Sequence, residues 1–235
     1  MTPALVHILM HVPQLANYAR DPSFSDHLGT AHPRFATEFA AACTRYWDDD
    51  DLDAARTVLL EGDLPCVLES FDAALAAVPV TDADRPFPFR GDAAAWGVAG
   101  GSLVSEIFRT QVRTETGYEH PMVFDVHGQS IARHFAGLDV THFPPILVVR
   151  LQPDTFVSYD VVMAVGDRRY ALFAVLLRHA DLRHADREVD RETALCLRGG
   201  TWTHMTSTGA EPVHVNDVIQ KDAVAVFYKA LAPHA

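Results

Sequence analysis

Apolar positions recur along this chain at two different spacings, and the change of spacing divides it. Over residues 2–78 they return every three or four positions, the period of a helix with one buried face. Thr2 can cap and Pro3 suits the first helical position, after which Leu5, Ile8, Leu9 and Val12 line one side. Pro13 should kink or end that segment, with QLANYA finishing it. HPRFATEFAAACTRYW predicts a second helix carrying Phe35, Phe39, Cys43 and Trp47 on one face. DLDAARTVLLEG predicts a third, ending at Gly62, and LPCVLESFDAALAAV a fourth with Pro65 near its start. Residues 79–100 are punctuated by prolines and glycines and read as a loop or linker. A short helix is expected in SLVSEIF.

From about residue 110 the period becomes two. PMVFDV, ILVVRL, FVSYDVVMAV, RRYALFAVLLRH, TALCLR, TWTHM and AVAVFYKAL are rich in Val, Leu, Phe and Tyr and separated by turn residues, which predicts strands. ILVVRL and ALFAVLL are almost unbroken apolar runs, so both faces of those strands should be covered. TALCLR and TWTHM are joined by Gly199-Gly200, a tight hairpin turn. GQSIARHFAG reads as a short helix, and NDVIQK as a helical turn capped by Asn216. The fold class is therefore α+β: an N-terminal helical lobe packed against a C-terminal antiparallel sheet.

Composition narrows the classes of function. Of 235 residues, 49% are hydrophobic and 21% charged, ordinary values for a folded chain able to bury a sizeable core. The formal net charge of −12 disfavours nucleic acid as a partner, because Lys and Arg must supply that attraction. No stretch reaches the roughly 18 apolar residues of a membrane span, and the apolar start lacks the basic leader and cleavage pattern of a signal peptide. Cys43, Cys66 and Cys196 are odd in number and widely spaced, so neither a disulfide framework nor a cysteine-type zinc site is expected. Soluble, intracellular residence follows as an expectation.

Candidate chemistry is sparse. The run Asp48-Asp49-Asp50-Asp51 could attract a hard cation, but consecutive aspartates do not converge on one point, and a solvated, negatively charged helix N-terminus is the plainer reading. His7 and His11 share a helix face, yet no acidic third ligand accompanies them; surface or partly buried histidines are expected, and no metal. Cys66, at the first turn of a helix, is the best-placed nucleophile, although packing as a small apolar side chain is the commoner fate of cysteine. Cys43 and Cys196 read as packing. No phosphate-binding, dinucleotide or nucleophile-elbow motif is present, and no cofactor is implied.

The order of the strand-rich segments resembles the palm of the ubiquitin-specific proteases, cysteine peptidases of the papain-like superfamily. FPPILVVRLQ (143–152) resembles that family's proline-led buried strand, and YALFAVLLRH (170–179) its Tyr-x-Leu-x-Ala-Val-x-x-His strand. TALCLRGGTWTHM (193–205) resembles its hairpin, and VHVNDVIQKDAVAVFYKAL (213–231) its closing helical turn and strand. PALVHILMHVPQLANY resembles the helix that follows the family's catalytic cysteine. The resemblance implies a single domain over 1–235, with a thumb-like helical lobe (1–78), a linker (79–100) and a β-rich palm with reduced fingers (101–235).

It also implies a degenerate active site. The family's general-base His falls on Arg191, with Glu192 where the family has Tyr, and the orienting Asp or Asn falls on Thr206 or Ser207. The nucleophile aligns just ahead of Met1, the helix signature expected near residue 64 reads DLPCVLESF, and the zinc-binding cysteine pairs of the fingers are missing. Arginine cannot act as a base near neutral pH. The resemblance thus implies a catalytically inactive relative that binds ubiquitin, a ubiquitin-like protein or another protein partner, with Trp202 and Tyr170 as candidate binding residues. Two alternatives stay open. One is an active thiol-dependent deubiquitinase, its nucleophile upstream or relocated to Cys66 with His179, His184 or His204 as base. The other is a purely structural or interaction module.

Overall fold

In the computed structural model the two almost unbroken apolar runs become neighbours of one central strand. The structure describes residues 3–20, 34–58, 64–75, 103–128, 130–152, 157–178, 192–206, 209–219 and 222–232. The expected linker at 79–100 lies outside them, as do His179, His184, Arg191 and Ser207.

The helical half begins with α1 (Pro3–Met10) and α2 (Pro13–Arg20), broken where Pro13 denies a backbone donor. α3 (Arg34–Asp48) follows, then α4 (Leu64–Leu75) and α5 (Leu103–Phe108). The third helix expected from DLDAARTVLLEG is, within the described residues, only a single 3₁₀ turn at Ala54–Thr57. The four aspartates are not at a helix N-terminus. Asp48 ends α3, where the macrodipole disfavours an anion, and the run continues into the turn beyond. Three of the four find an arginine: Asp48 pairs with Arg20, Asp50 with Arg198, and Asp51 with Arg45 at 3.7 Å.

Eleven strands are found among the described residues. β1 (Gln111–Thr114), β2 (Gly117–Glu119) and β4 (Asp139–His142) form a small sheet in the order β2-β1-β4. The large sheet uses β3 (Phe124–Val126), β5 (Ile146–Leu151), β6 (Val162–Val165), β7 (Arg168–Arg178), β8 (Glu192–Arg198), β9 (Thr201–Thr206), β10 (Gly209–Val213) and β11 (Ala223–Ala230). Its order is β10-β9-β8-β7-β11-β5-β3, with β6 also on β7. The sheet is mixed rather than antiparallel, because β3 pairs parallel to β5. β3 reaches β5 through α6 (Ile131–Ala136), whose N-cap Ser130 accepts from the Arg133 amide.

Both faces of the sheet are covered, as the apolar runs require. α1 lies across β7, β8 and β9, and one core joins Leu5, Ile8 and Leu9 to Phe173, Ala174, Ala194, Cys196 and Phe227. Phe39 of α3 meets Phe71 of α4 edge-on, with centroids 5.1 Å apart, within the same core. A second core on the opposite face joins Leu172, Val175, Leu195 and Trp202 to Ile131 and Phe135 of α6 and to Val218. One extra residue in β7, where Phe227 pairs with Ala174 but Tyr228 with Leu172, turns Phe173 and Ala174 both towards the helices.

The Gly199-Gly200 turn is as expected: φ is +55° and +86°, the two positive angles of a two-residue hairpin that only glycine adopts without strain. The helical turn near 215 differs in its cap. His214, not Asn216, is the N-cap, its Nδ1 accepting from the Asn216 amide at 3.2 Å.

Candidate functional site

Two strand ends and a helix start define the place where the resemblance puts the family's histidine and its orienting residue. β7 ends at Arg178 and β8 begins at Glu192, paired across the ladder. The Arg178 guanidinium donates to Glu192 Oε1 from Nε at 3.2 Å and Nη2 at 2.8 Å. Glu192 is mostly buried by this contact while Arg178 is exposed. Thr206, which ends β9 beside them, donates its hydroxyl to the Gly209 carbonyl at 3.1 Å and so closes the next turn. Arg191 directly precedes Glu192 in the chain.

α1 is aimed at this end of the sheet. Its C-terminal end is level with the end of β8: the Trp47 indole donates to the Met10 carbonyl at 2.9 Å, and the Arg198 guanidinium lies over the Trp47 ring at 5.7 Å. Since α1 also packs along β8, the two run in the same direction, and the helix starts towards the β8 start.

The sheet separates the fallback pair. Ala194, Cys196 and Met205 face the helices, whereas Leu195 and Trp202 face the second core. Side chains alternate along a strand, so His204, opposite Leu195, points away from α1. There its Nε2 lies 2.9 Å from the Thr193 hydroxyl. Cys66 does fall in the first turn of α4, but it is exposed. Leu64, Val67, Leu68 and Phe71 hold that helix to the helix-side core. Cys66 and His204 therefore sit on opposite sides of the large sheet. Cys43 and Cys196 are buried, as packing requires; burial pushes the Cys43 thiol up to about 12 and raises that of Cys196 as well.

Trp202 and Tyr170, expected as binding residues, are core instead. Trp202 is 6% and Tyr170 0% exposed, because the strands that carry them are covered on that face as well. The Tyr170 hydroxyl donates to the Pro144 carbonyl at 2.7 Å, and burial raises its pKa. Replacing Tyr170→Phe orphans that carbonyl, and urea denaturation is expected to report a loss of about 1–2 kcal/mol. An unchanged midpoint would return the hydroxyl to solvent or ligand.

His7 and His11 are more buried than the sequence implied, at 5% and 6% exposure. His11 Nδ1 donates to the His7 carbonyl at 2.7 Å, and Nε2 takes the Tyr46 hydroxyl at 3.1 Å. With both nitrogens engaged, His11 has no lone pair to offer a metal. Among the described residues no three His, Cys, Asp or Glu side chains gather into a metal site. No described helix is long and apolar enough to cross a membrane.

No protein-family model matches this sequence, and no curated protein matches it. Solved structures do. A chain of the yeast SAGA DUB module superposes with a TM-score of 0.73 at 11% identity, over 98% of this chain and 64% of that one. A chain of the SAGA Ubp8/Sgf11/Sus1/Sgf73 DUB module bound to ubiquitin aldehyde gives 0.66 at 9%, over 98% and 67%. A chain of an essential yeast splicing factor gives 0.60 at 10%, over 97% and 66%. The protein spans a little under two thirds of the first of these chains. The α+β fold expected from the resemblance to ubiquitin-specific proteases is found, with a mixed sheet in place of the antiparallel one.

Proposed function

We propose that this chain is a ubiquitin-specific-protease-like scaffold that holds a protein partner, ubiquitin or a ubiquitin-like protein, without cleaving it. In this reading residues 1–235 form one domain: a thumb-like lobe (1–78), a linker (79–100) and a palm with reduced fingers (101–235). The observation that carries it is the pairing at the β7–β8 end. Where the family would present an imidazole and its orienting carboxamide or carboxylate, the sequence offers Arg191 and Thr206, Glu192 is held by Arg178, and the Thr206 hydroxyl is spent on Gly209. Neither Arg191 nor Thr206 accepts a thiol proton near neutral pH and returns it, and the Glu192 carboxylate is engaged by Arg178. The fold with its two covered faces and the start of α1 nevertheless remain, so a binding surface can outlast the chemistry. Exposed Cys66 suits a reducing, intracellular setting.

A structural or assembly role is the second reading, favoured by the splicing factor among the similar structures, since one fold hosts many functions. A relocated Cys66–His204 site is disfavoured by the sheet between them. Titrating labelled protein with unlabelled ubiquitin tests the choice. Saturable resonance shifts are expected at the β7–β8 end, around Arg178, Glu192 and Thr206, and in α1. Unmoved resonances at roughly 500 µM ubiquitin, a binding free energy weaker than about −4.5 kcal/mol, would leave the assembly role.

A further inference from the structure

At the opposite end of α1 lies a buried group that the functional reading does not use. A carbonyl only accepts, so the His11 contact with the His7 carbonyl puts the ring proton on Nδ1 and leaves Nε2 as the acceptor of the Tyr46 hydroxyl. His11 thereby joins α1 to α3. Its ring also meets the edges of Tyr46 and Trp47, with centroids at 5.3 and 5.4 Å. The Arg198 guanidinium at the end of β8 lies 5.0 Å from the centre of the Tyr46 ring and is ion-paired to Asp50. Three elements thus meet on one neutral imidazole.

The charged and titratable groups around it give a proton no welcome. α1 contributes His7, the 3₁₀ turn Arg56, α3 Tyr46, the turn after α3 Asp50, and β8 Cys196 and Arg198. Arg198 and Arg56 repel a second cation, and the carboxylate of the group, Asp50, is already taken by Arg198. The His7 Nδ1 atom is buried without a hydrogen-bond partner. α1 has eight residues, too few to persist without its packing.

We propose that His11 is an acid-sensitive latch: protonation of its Nε2 ends its acceptance of the Tyr46 hydroxyl, leaves a buried cation beside Arg198 with no carboxylate free to pair it, and frees α1 from α3 and β8 while the central strands stay paired. The proton comes from solvent, and no other bond changes. Burial, before any other cause, holds both His11 and His7 down to about 4, against 6.5 in an exposed histidine. Both are therefore favoured neutral in the closed state, and the stability they confer above pH 6.5 is lost as pH falls towards 4. The latch stands whether or not a partner is bound at the far end of α1.

Hydrogen exchange of the full chain, corrected for intrinsic rates and followed by peptide, tests it. Between pH 7 and pH 5 the opening constant of the segment containing α1 is expected to rise by about 20-fold per histidine, on the order of a few hundred-fold for both. β5 and β11 should stay protected. In His11→Gln the rise should shrink to about 20-fold, the share of His7. Should that variant fail to fold, the wild-type peptide profile still decides. A rise shared equally by β5 and β11, no rise at all, or an undiminished rise in His11→Gln would each overturn the latch.

Discussion

A fluorogenic amide on the C-terminus of ubiquitin is expected to survive incubation with this chain, at a rate no better than uncatalysed hydrolysis. A nucleophile–base pair accounts for about a millionfold acceleration in the serine-protease analogue, so the proposed lack of one carries the largest expected effect. Burial keeps Cys43 and Cys196 protonated at neutral pH and away from solvent. Cys66 is accessible but is separated by the large sheet from His204. Arg191 stays cationic and cannot withdraw a proton. Two controls sharpen the result: Cys66→Ala should leave the background unchanged, and Arg191→His alone should not restore turnover, because Thr206 is committed to Gly209 and does not fix an imidazole. Turnover about a thousandfold above background that disappears in Cys66→Ala would show that the sheet does not keep these groups apart in solution.

The parts of this molecule that the sequence announces are those governed by local periodicity. ILVVRL and ALFAVLL had to be covered on both faces, and they are strands β5 and β7 with a core on each side. Pro13 breaks the first helical stretch and Gly199-Gly200 makes the hairpin because each residue's own backbone chemistry dictates it. What the sequence conceals depends on partners far along the chain. Four aspartates look like a solvated helix start until Arg20, Arg45 and Arg198 are seen to pair with three of them at a helix end. Trp202 and Tyr170 look available until α6 and the segment around Val218 are found on their face. QVRT, GYE and DVTH, the strands of the small sheet, lack the apolar content that marks a strand and are held by pairing instead. The candidate site behaves likewise. Arg191 and Thr206 could be placed by resemblance, but the Arg178–Glu192 pair could not, because charge complementarity between two polar residues at strand ends carries no periodic signature. The His11 cluster was half visible as an i, i+4 histidine pair, yet its meaning rests on Tyr46 and Arg198, which no spacing connects to it.

Phe227→Ala is the second large prediction, and it tests the architecture itself. β11 is hydrogen-bonded on both sides, to β7 and to β5, so its side chains occupy the middle of the sheet. Phe227 is 0% exposed, stands between Val148 and Ala174 on the neighbouring strands, and meets Phe173 edge-on with centroids 6.4 Å apart, all on the face that α1 covers. Truncation removes an aromatic ring from a site walled by paired backbone below and a helix above, neither of which can collapse far. Urea or guanidinium denaturation should therefore register a loss of about 4 kcal/mol, which for a chain of this size lowers the melting temperature by roughly 10 °C. Phe227→Leu, which keeps most of the volume, should lose about 1 kcal/mol. Val162→Ala, on an exposed position of edge strand β6, should stay within about 0.5 kcal/mol of the parent. That gradient from centre to edge follows only if the helices truly seal this face. A loss below about 1.5 kcal/mol for Phe227→Ala would mean the ring is reached by water, and with it the claim that α1 is seated on the sheet, on which both the proposed function and the proposed latch depend, would fail.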